Sequence, residues 1–573
     1  MVMGRRMKDL GNLGIVFITI ILLYYVSTFF FARFDLTSEK RYTLTPTTIE
    51  LLNEVDDVVF IRVYLDGDLP AGFRRLRDRT REMLDEFRVY SHENVEYQFI
   101  SPITDDPKSD KALQTQLVEM GIEPTNIQIK EEDGLTTKLI FPGAIMSYRG
   151  KQISLQLLKS QMSKGAEEML NGSMEDLEYE LSNGIRKLTK PITDQLAYIT
   201  GHNELEPRQI ADMQNALSEY YGLERISIEG RIDALVSRSK TDSGTIVIPK
   251  YKALIIAKPD TAFTEKDKFI LDQYIMYGGR VLWLIEPVLC NMDSLQYQPT
   301  TYALPISVNL EDMLFKYGVR VNTDIIQDAR CSQIPGPAGY VGNQIQWALQ
   351  PWLYFPIMIP ASDHPIVKNT NGIKLEFASS IDTVRAPGIE KTILLETSKA
   401  SRLLRTPSRI SLDIMKDPPK PEQFDKPHLA TAVLLEGKFT SVFKNRITPN
   451  IRDDISIKYR DVGMKSKMIV VSDGDIMRNH ISNDGRYMAL GYDRYTGQMF
   501  ANKKFLLNCI NYLCDDSGLI SNRSRALQIR LLDSKKVAQD RQFWQLINVA
   551  LPMVIILIFG LIIAFIHKKK YTT

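Results

Sequence analysis

Cysteine is scarce in this sequence, with Cys290, Cys331, Cys509 and Cys514 the only four among 573 residues. So few and so scattered, they exclude a disulfide framework. The spacing of Cys509 and Cys514 suits neither a Cys-x-x-Cys redox pair nor a zinc knuckle, so all four read as core cysteines. Net charge is also small, +2 overall, which removes the electrostatic case for nucleic acid as a partner. Catalytic signatures are missing. There is no Gly-x-x-x-x-Gly-Lys-Ser/Thr loop, so the chain does not hydrolyse ATP in the P-loop manner. There is no Gly-x-Ser-x-Gly elbow, and His92-Glu93 is followed by Glu96 where a zincin needs a second histidine. The other histidines are isolated. These absences lead to the expectation of a protein that is not an enzyme, with no cofactor and no resident metal.

What the sequence does have is two long runs without charge. Phe543 to Ile566 carries none and, at about 1.5 Å of helix rise per residue, can cross a hydrocarbon core of about 30 Å. Trp544 sits at one interface and His567-Lys568-Lys569-Lys570 at the other. Leu13 to Ala32 is the second run, preceded by Arg5, Arg6 and Lys8. A cleaved signal peptide would carry a shorter apolar core and a small-x-small site, whereas this exit reads Phe29-Phe30-Phe31-Ala32-Arg33, so a retained anchor is expected. Two crossings place both termini on one side of the membrane, and the Lys568–Lys570 cluster points to the cytoplasm. The expected order is a cytoplasmic N-terminus (1–12), a span (13–32), a first exported domain (33–190) and a large exported domain (191–520). A connector (521–542), a second span (543–567) and a cytoplasmic tail (568–573) complete it. Gln545 and Asn548 share one face of the second span, as candidate contacts to a partner helix.

The first exported domain alternates strand and helix patterns. A helix opens at Thr45-Pro46, followed by a strand at Val58–Leu65, a helix at Phe73–Tyr90 and a strand at Val95–Ile100. A helix at Lys108–Met120 and strands at Ile127–Lys130, Lys138–Tyr148 and Gln152–Leu157 precede a closing helix at Met174–Leu188. The order suggests a thioredoxin-like layout, but the segment holds no cysteine, so a scaffold or docking module is expected.

The second domain reads as α/β with a doubly wound parallel sheet: short apolar strands at Gln195–Thr200, Ala253–Ala257, Val281–Ile285 and Lys467–Val471 alternate with helices. Lys391–Thr397, His428–Glu436 and Phe439–Phe443 look like antiparallel additions, and Pro335, Gly336, Pro337, Gly339 and Gly342 read as a mobile loop. In open parallel sheets ligands sit at the carboxyl ends of the strands. Those ends give His202, Glu204, Asp260, Glu286, Asp473 and Asp475 as candidate ligand-binding residues. A binding rim predicts Glu204 facing Asp473 or Asp475 across a cleft; such all-oxygen groups would suit calcium or magnesium better than zinc. Turn chemistry offers another account, with each carboxylate bonded to amides of its own loop.

Several motifs recur in one order. Thr200-Gly201-His202-Asn203-Glu204 follows a strand, Tyr277-Gly278-Gly279-Arg280-Val281 precedes the next, and Val471-Ser472-Asp473-Gly474-Asp475 comes later. Asn502-Lys503-Lys504-Phe505-Leu506-Leu507-Asn508 and Asn548-Val549-Ala550-Leu551-Pro552 close the series. Together with the two anchors they resemble the GldG family, gliding-motility-associated auxiliary components of bacterial ABC transporters. The resemblance implies an inner-membrane protein with a periplasmic body, working beside a separate multispanning permease and a separate cytoplasmic ATPase. It also implies a large domain of the type shared with intraflagellar-transport proteins, for which a carbohydrate ligand is conjectured. It supplies no catalytic residues. Two functions follow as expectations: a subunit that binds or gates a substrate, or a ligand-free coupler that transmits permease movement. A carbohydrate-active enzyme ranks third, since it would need a close carboxylate pair.

Overall fold

In the computed structural model, residues 11, 13–22, 24–25, 43–103, 106–131, 134–158, 165–241, 244–341, 344–482, 484–516, 518–520 and 540–571 are described. Most of the N-terminal tail, the expected span beyond Tyr25, residues 33–42 and most of the connector lie outside them. The fold is mixed α/β, and the chain divides into a large unit ending at Arg525 and a small one beginning at Ala526, which also takes in residues 37–41.

The large unit opens with a small sheet. A threonine cap at Thr45 and Pro46 start α1 (Pro46–Asn53). Next come β1 (Val59–Val63), α2 (Ala71–Tyr90), β2 (Val95–Phe99) and α3 (Pro107–Glu119). The hairpin β3 (Thr125–Glu131) and β4 (Gly134–Ile140) stands apart as its own pair. β5 (Gly143–Tyr148) and β6 (Lys151–Gln156) complete the sheet in the order β2-β1-β5-β6, with β1 and β2 parallel. The run read as one strand over Lys138–Tyr148 is therefore two, divided at Phe141-Pro142, where proline offers no amide to a ladder. The closing helix α4 (Ala166–Thr189) begins eight residues before the reading from sequence; Glu167 and Glu168 favour its first turn.

Five parallel strands form half of the large sheet: β7 (Gln195–Thr200), β8 (Gly222–Ser227), β9 (Ala253–Ala257), β10 (Arg280–Leu284) and, much later, β15 (Val462–Val471). α5 (Ala211–Ser218) follows β7, and α6 (Glu265–Met276), capped by Thr264, joins β9 to β10. The antiparallel half holds β11 (Cys331–Val341), β12 (Gln344–Pro360), β13 (Ile389–Glu396) and β14 (Ala430–Thr440). The order is β11-β12-β13-β14-β15-β10-β9-β7-β8, with a short Ile373–Lys374 strand off this path against β12. All five residues of β9 are buried, as expected of a strand covered on both faces. One face packs on Leu217 of α5 and on Phe505, Leu506 and Cys509 of α7 (Asn502–Cys514). The other packs on Ile270, Leu271, Tyr274 and Ile275 of α6. Cys290, Cys509 and Cys514 are buried free thiols, and Cys331 is half-buried.

The stretch read as a mobile loop is instead strand: Pro335 to Gly339 lie in β11, while Gly342 falls outside the described residues. β11 is the edge of the sheet, where proline's missing amide costs no ladder bond, and the ladder breaks register between Pro337 and Gly339.

The described part of the first apolar run is a short exposed helix, Leu13–Leu22, spanning only about 15 Å. In the small unit, α8 (Arg541–Tyr571) contains Phe543–Ile566, long and apolar enough to cross a membrane by length and composition, and none of that stretch is buried.

Candidate functional site

Register brings the site together. Ala257 of β9 pairs with Leu284 of β10, which pairs with Val471 of β15, so three carboxyl ends stop side by side. Lys258 follows Ala257 directly, Glu286 and Asp473 stand two residues past Leu284 and Val471, and Asp475 two further on. Ligand oxygens of Glu286, Asp473 and Asp475 lie within 4.8 Å of one another. The Lys258 ammonium is paired with Asp475 and lies 3.8 Å from Glu286. The cluster thus carries its own cation beside two of its three carboxylates. Lys258 holds a left-handed backbone (φ +55°), uncommon for a side-chain-bearing residue outside functional or strained positions.

Two backbone amides fix Asp473: Glu376 N–H donates to Oδ2 at 2.7 Å and Asp475 N–H to Oδ1 at 2.7 Å. Gly474 N–H donates to Glu286 Oε2 at 3.0 Å. A Cβ on Gly474 would stand 2.5 Å from Lys258 Cβ and 3.0 Å from its Cα. Gly474→Ala should therefore cost about 1–3 kcal/mol of stability through overpacking, read as a lowered midpoint in denaturant melts.

Beyond Asp473 the rim continues into a second charged set. Lys374 Nζ lies 2.9 Å from Glu376 Oε1 and 3.3 Å from Asp493 Oδ1, and 4.5 Å from the centre of the Phe355 ring. His480 Nε2 lies 4.0 Å from Glu376, and Arg478 lies 3.5 Å from Asp475. Lys374, Glu376, Asp473, Asp475, Arg478, His480 and Arg494 line a cleft of about 210 Å³. Asp475 Oδ1 is buried there without a hydrogen bond. A larger cavity of about 750 Å³ opens near the amino ends of the strands, but its lysines are taken up by carboxylates: Lys187 by Glu219, Lys190 by Glu54 and Lys252 by Asp516. The carboxyl-edge cleft is the better candidate.

Burial pushes the Glu286 carboxyl well above its ordinary range, against the pull of Lys258. Burial, then the neighbouring Asp475, pushes Asp473 up to about 8 although the Glu376 amide and Lys258 act the other way. Burial alone would lower Lys258, but Glu286 and Asp475 outweigh it and the ammonium is held. Burial would also raise Glu376, yet Lys374 and His480 bring it down to about 2. The signs are opposite for stability. The Asp473 contribution is complete below the ordinary aspartate range and is lost as pH climbs through 8; that of Glu376 is complete above the ordinary glutamate range and is lost as pH falls towards 2. Asp473→Asn should thus flatten the decline in melting temperature between pH 5 and 9, and Glu376→Gln the decline between pH 5 and 2.

His202, Glu204 and Asp260 sit elsewhere on the same edge. The order β15-β10-β9-β7 sets two strands between the carriers of Asp473 and Glu204, roughly 14 Å of sheet at ordinary strand spacing, so these carboxylates do not face each other across a cleft. His202 stacks on Phe263 at 3.6 Å and lies 3.5 Å from Asp267 of α6. Glu204 accepts from the His202 amide at 2.8 Å, and Asn203 donates to Asp260 at 2.6 Å. This group locks the turn after β7. Gln545 and Asn548 are exposed on α8. Lys258 could have been found from sequence, since it follows β9 directly; Lys374 and Glu376 carry no local signal.

The sequence of residues 193–509, more than half of the chain, matches the family described as ABC-type uncharacterized transport system. The chain belongs to that family. Residues 38–147 match a domain of unknown function, DUF7088. An uncharacterized protein of Borreliella burgdorferi is 22% identical over 578 residues, covering 99% of this chain and 100% of that one. The solved mmIFT52 N-terminal domain covers 56% of this chain and 97% of its own at 13% identity, with a TM-score of 0.30, too low to carry an argument. The matched ABC transport system segment runs from just before β7 into α7, so Lys258, Glu286, Glu376, Asp473 and Asp475 all fall inside it.

Proposed function

We propose that the chain is a membrane-tethered, non-catalytic auxiliary subunit of an ABC transport system that binds or gates a substrate in the carboxyl-edge cleft. Its partners would be a multispanning permease and a separate cytoplasmic ATPase. In this reading the chain crosses the inner membrane twice, both termini are cytoplasmic and the body is periplasmic. The small sheet, a thioredoxin-like module without cysteine, serves for docking. Gln545 and Asn548 contact a permease helix. A role in gliding motility is the narrower form of the proposal and rests on the motif order alone.

The observation that carries the reading is the convergence of Lys374, Glu376, Asp475, Arg478, His480 and Arg494 on one polar cleft at the sheet edge where such folds hold ligands. Clustered donors and acceptors suit a polyhydroxylated or zwitterionic small molecule, a carbohydrate among them. The test compares the full-length chain with an Arg478→Ala, Arg494→Ala variant by native mass spectrometry after purification from its own membranes. A small molecule retained by the first and lost by the second supports binding. Identical spectra without added mass would reject it.

A ligand-free coupler is the second reading. It is favoured by how completely the rim pairs with itself, Lys258 on Asp475 and Lys374 on Glu376 and Asp493.

A further inference from the structure

We propose that the outer half of β12 pairs, antiparallel, with the same segment of a second copy, giving a two-fold dimer through the β11–β12 ribbon. β12 meets β13 at Ile359 and Pro360 and the Ile373–Lys374 strand at Ile357 and Met358. From Gln344 to Pro351 its one strand partner among the described residues is β11. The ribbon is therefore two strands wide there, a width with little stability of its own in water. Residues 346–349 are all exposed, Trp347 by 64% and Leu349 by 45%.

Free strand edges are ordinarily guarded by charge. Here there is none: the 32 residues from Cys331 to Ser362 contain no Asp, Glu, Lys, Arg or His, in a chain where 24% of residues are charged. The stretch Gln344 to Gln350 contains no proline, with Pro335 and Pro337 opposite it on β11 and Pro351 ending it, so each of its amides that points away from β11 can join a new ladder.

The occupant follows from the sequence of the edge. Gln344-Ile345-Gln346-Trp347-Ala348-Leu349-Gln350 is nearly symmetric about its centre. Antiparallel pairing about Trp347 sets Gln344 opposite Gln350, Ile345 opposite Leu349, Gln346 opposite Ala348 and Trp347 opposite its own copy. Apolar residues fall on one face and small or amide residues on the other, as the period of two requires. A self-complementary patch is what an isologous two-fold contact needs. Seven residues a side fall short of a standard interface, so the contact relies on both copies being held in one membrane, where the effective concentration is high. In that respect it rests on the tethered reading above.

The test uses the full-length chain in nanodiscs, with Cys331 replaced by Ser. Ile345→Cys mixed with Leu349→Cys should give a disulfide-linked dimer, and each alone should not. Trp347→Lys places like charges opposite one another and should lower the dimer fraction about tenfold. Mixing it with Trp347→Glu should restore the dimer, which excludes misfolding as the cause. The proposal is overturned by position-independent crosslinking, or by a dimer that Trp347→Lys leaves intact. It is also overturned if the chain stays monomeric while Trp347 fluorescence shifts to the blue on neutral phosphatidylcholine vesicles, since the arm would then be a lipid contact. Loss of a co-purified protein in Trp347→Lys without any change in self-association would likewise assign the arm to a different partner.

Discussion

A chain cut to residues 43–520 should leave the membrane fraction completely and melt cooperatively in water. The region from Tyr42 to Arg525 lies in one compact unit, and its sheets bury their apolar faces against their own helices. The Phe543–Ile566 stretch has no buried residue to lose. At roughly 0.3–0.6 kcal/mol for each Leu, Ile, Phe or Val inserted, that stretch alone is worth about 5–10 kcal/mol of membrane affinity. Removing residues 540–573 only should leave the chain in the membrane, held by the segment that begins at Leu13. Carbonate-washed membranes read both results. If the shorter cut alone releases the protein, the two-anchor reading fails; if the 43–520 chain only aggregates, the body depends on its tethers to fold.

Lys258→Met should be the most damaging single change at the carboxyl edge of the sheet. It removes the cation from beside three buried or nearly buried carboxylates whose oxygens lie within 4.8 Å of one another. Breaking a buried ion pair from one side typically costs about 3–5 kcal/mol, because the remaining charge stays desolvated. A second effect separates this from ordinary core damage. With the ammonium gone, the three carboxylates present a set of hard oxygen donors, the chemistry calcium takes. Millimolar calcium should recover part of the lost melting temperature in Lys258→Met and leave the unsubstituted chain unmoved. A variant that melts like the parent would show that Lys258 does not balance the cluster.

The parallel core was legible because each strand is a short apolar run with its own punctuation. Ala253–Ala257 begins and ends as read, and Val281–Ile285 is displaced by one residue. The carboxyl-end rule reached Glu286, Asp473 and Asp475, which the fold does bring together. It could not order the strands, because β15 enters between β10 and the antiparallel half from nearly 180 residues away. That insertion is what separates Glu204 from Asp473. The cationic half of the cleft was illegible for a related reason: Lys374 and Glu376 arrive from the antiparallel half, in a segment with no motif. The ribbon was misread because proline and glycine normally punctuate loops, and an edge strand with a bulge is the case in which they need not.

The central claim is partnership in a transport complex, and co-purification tests it most directly. The full-length chain, tagged and extracted from its own membranes in mild detergent, should bring down one multispanning ABC permease and one ABC ATPase in near-constant ratio. Replacing Phe543–Ile566 with polyleucine of equal length should keep the chain in the membrane but lose both, since Gln545 and Asn548 go with the native span. Retention of both by the polyleucine chain would reject the contact assigned to that span. Recovery of the native chain without any permease or ATPase would contradict the account itself.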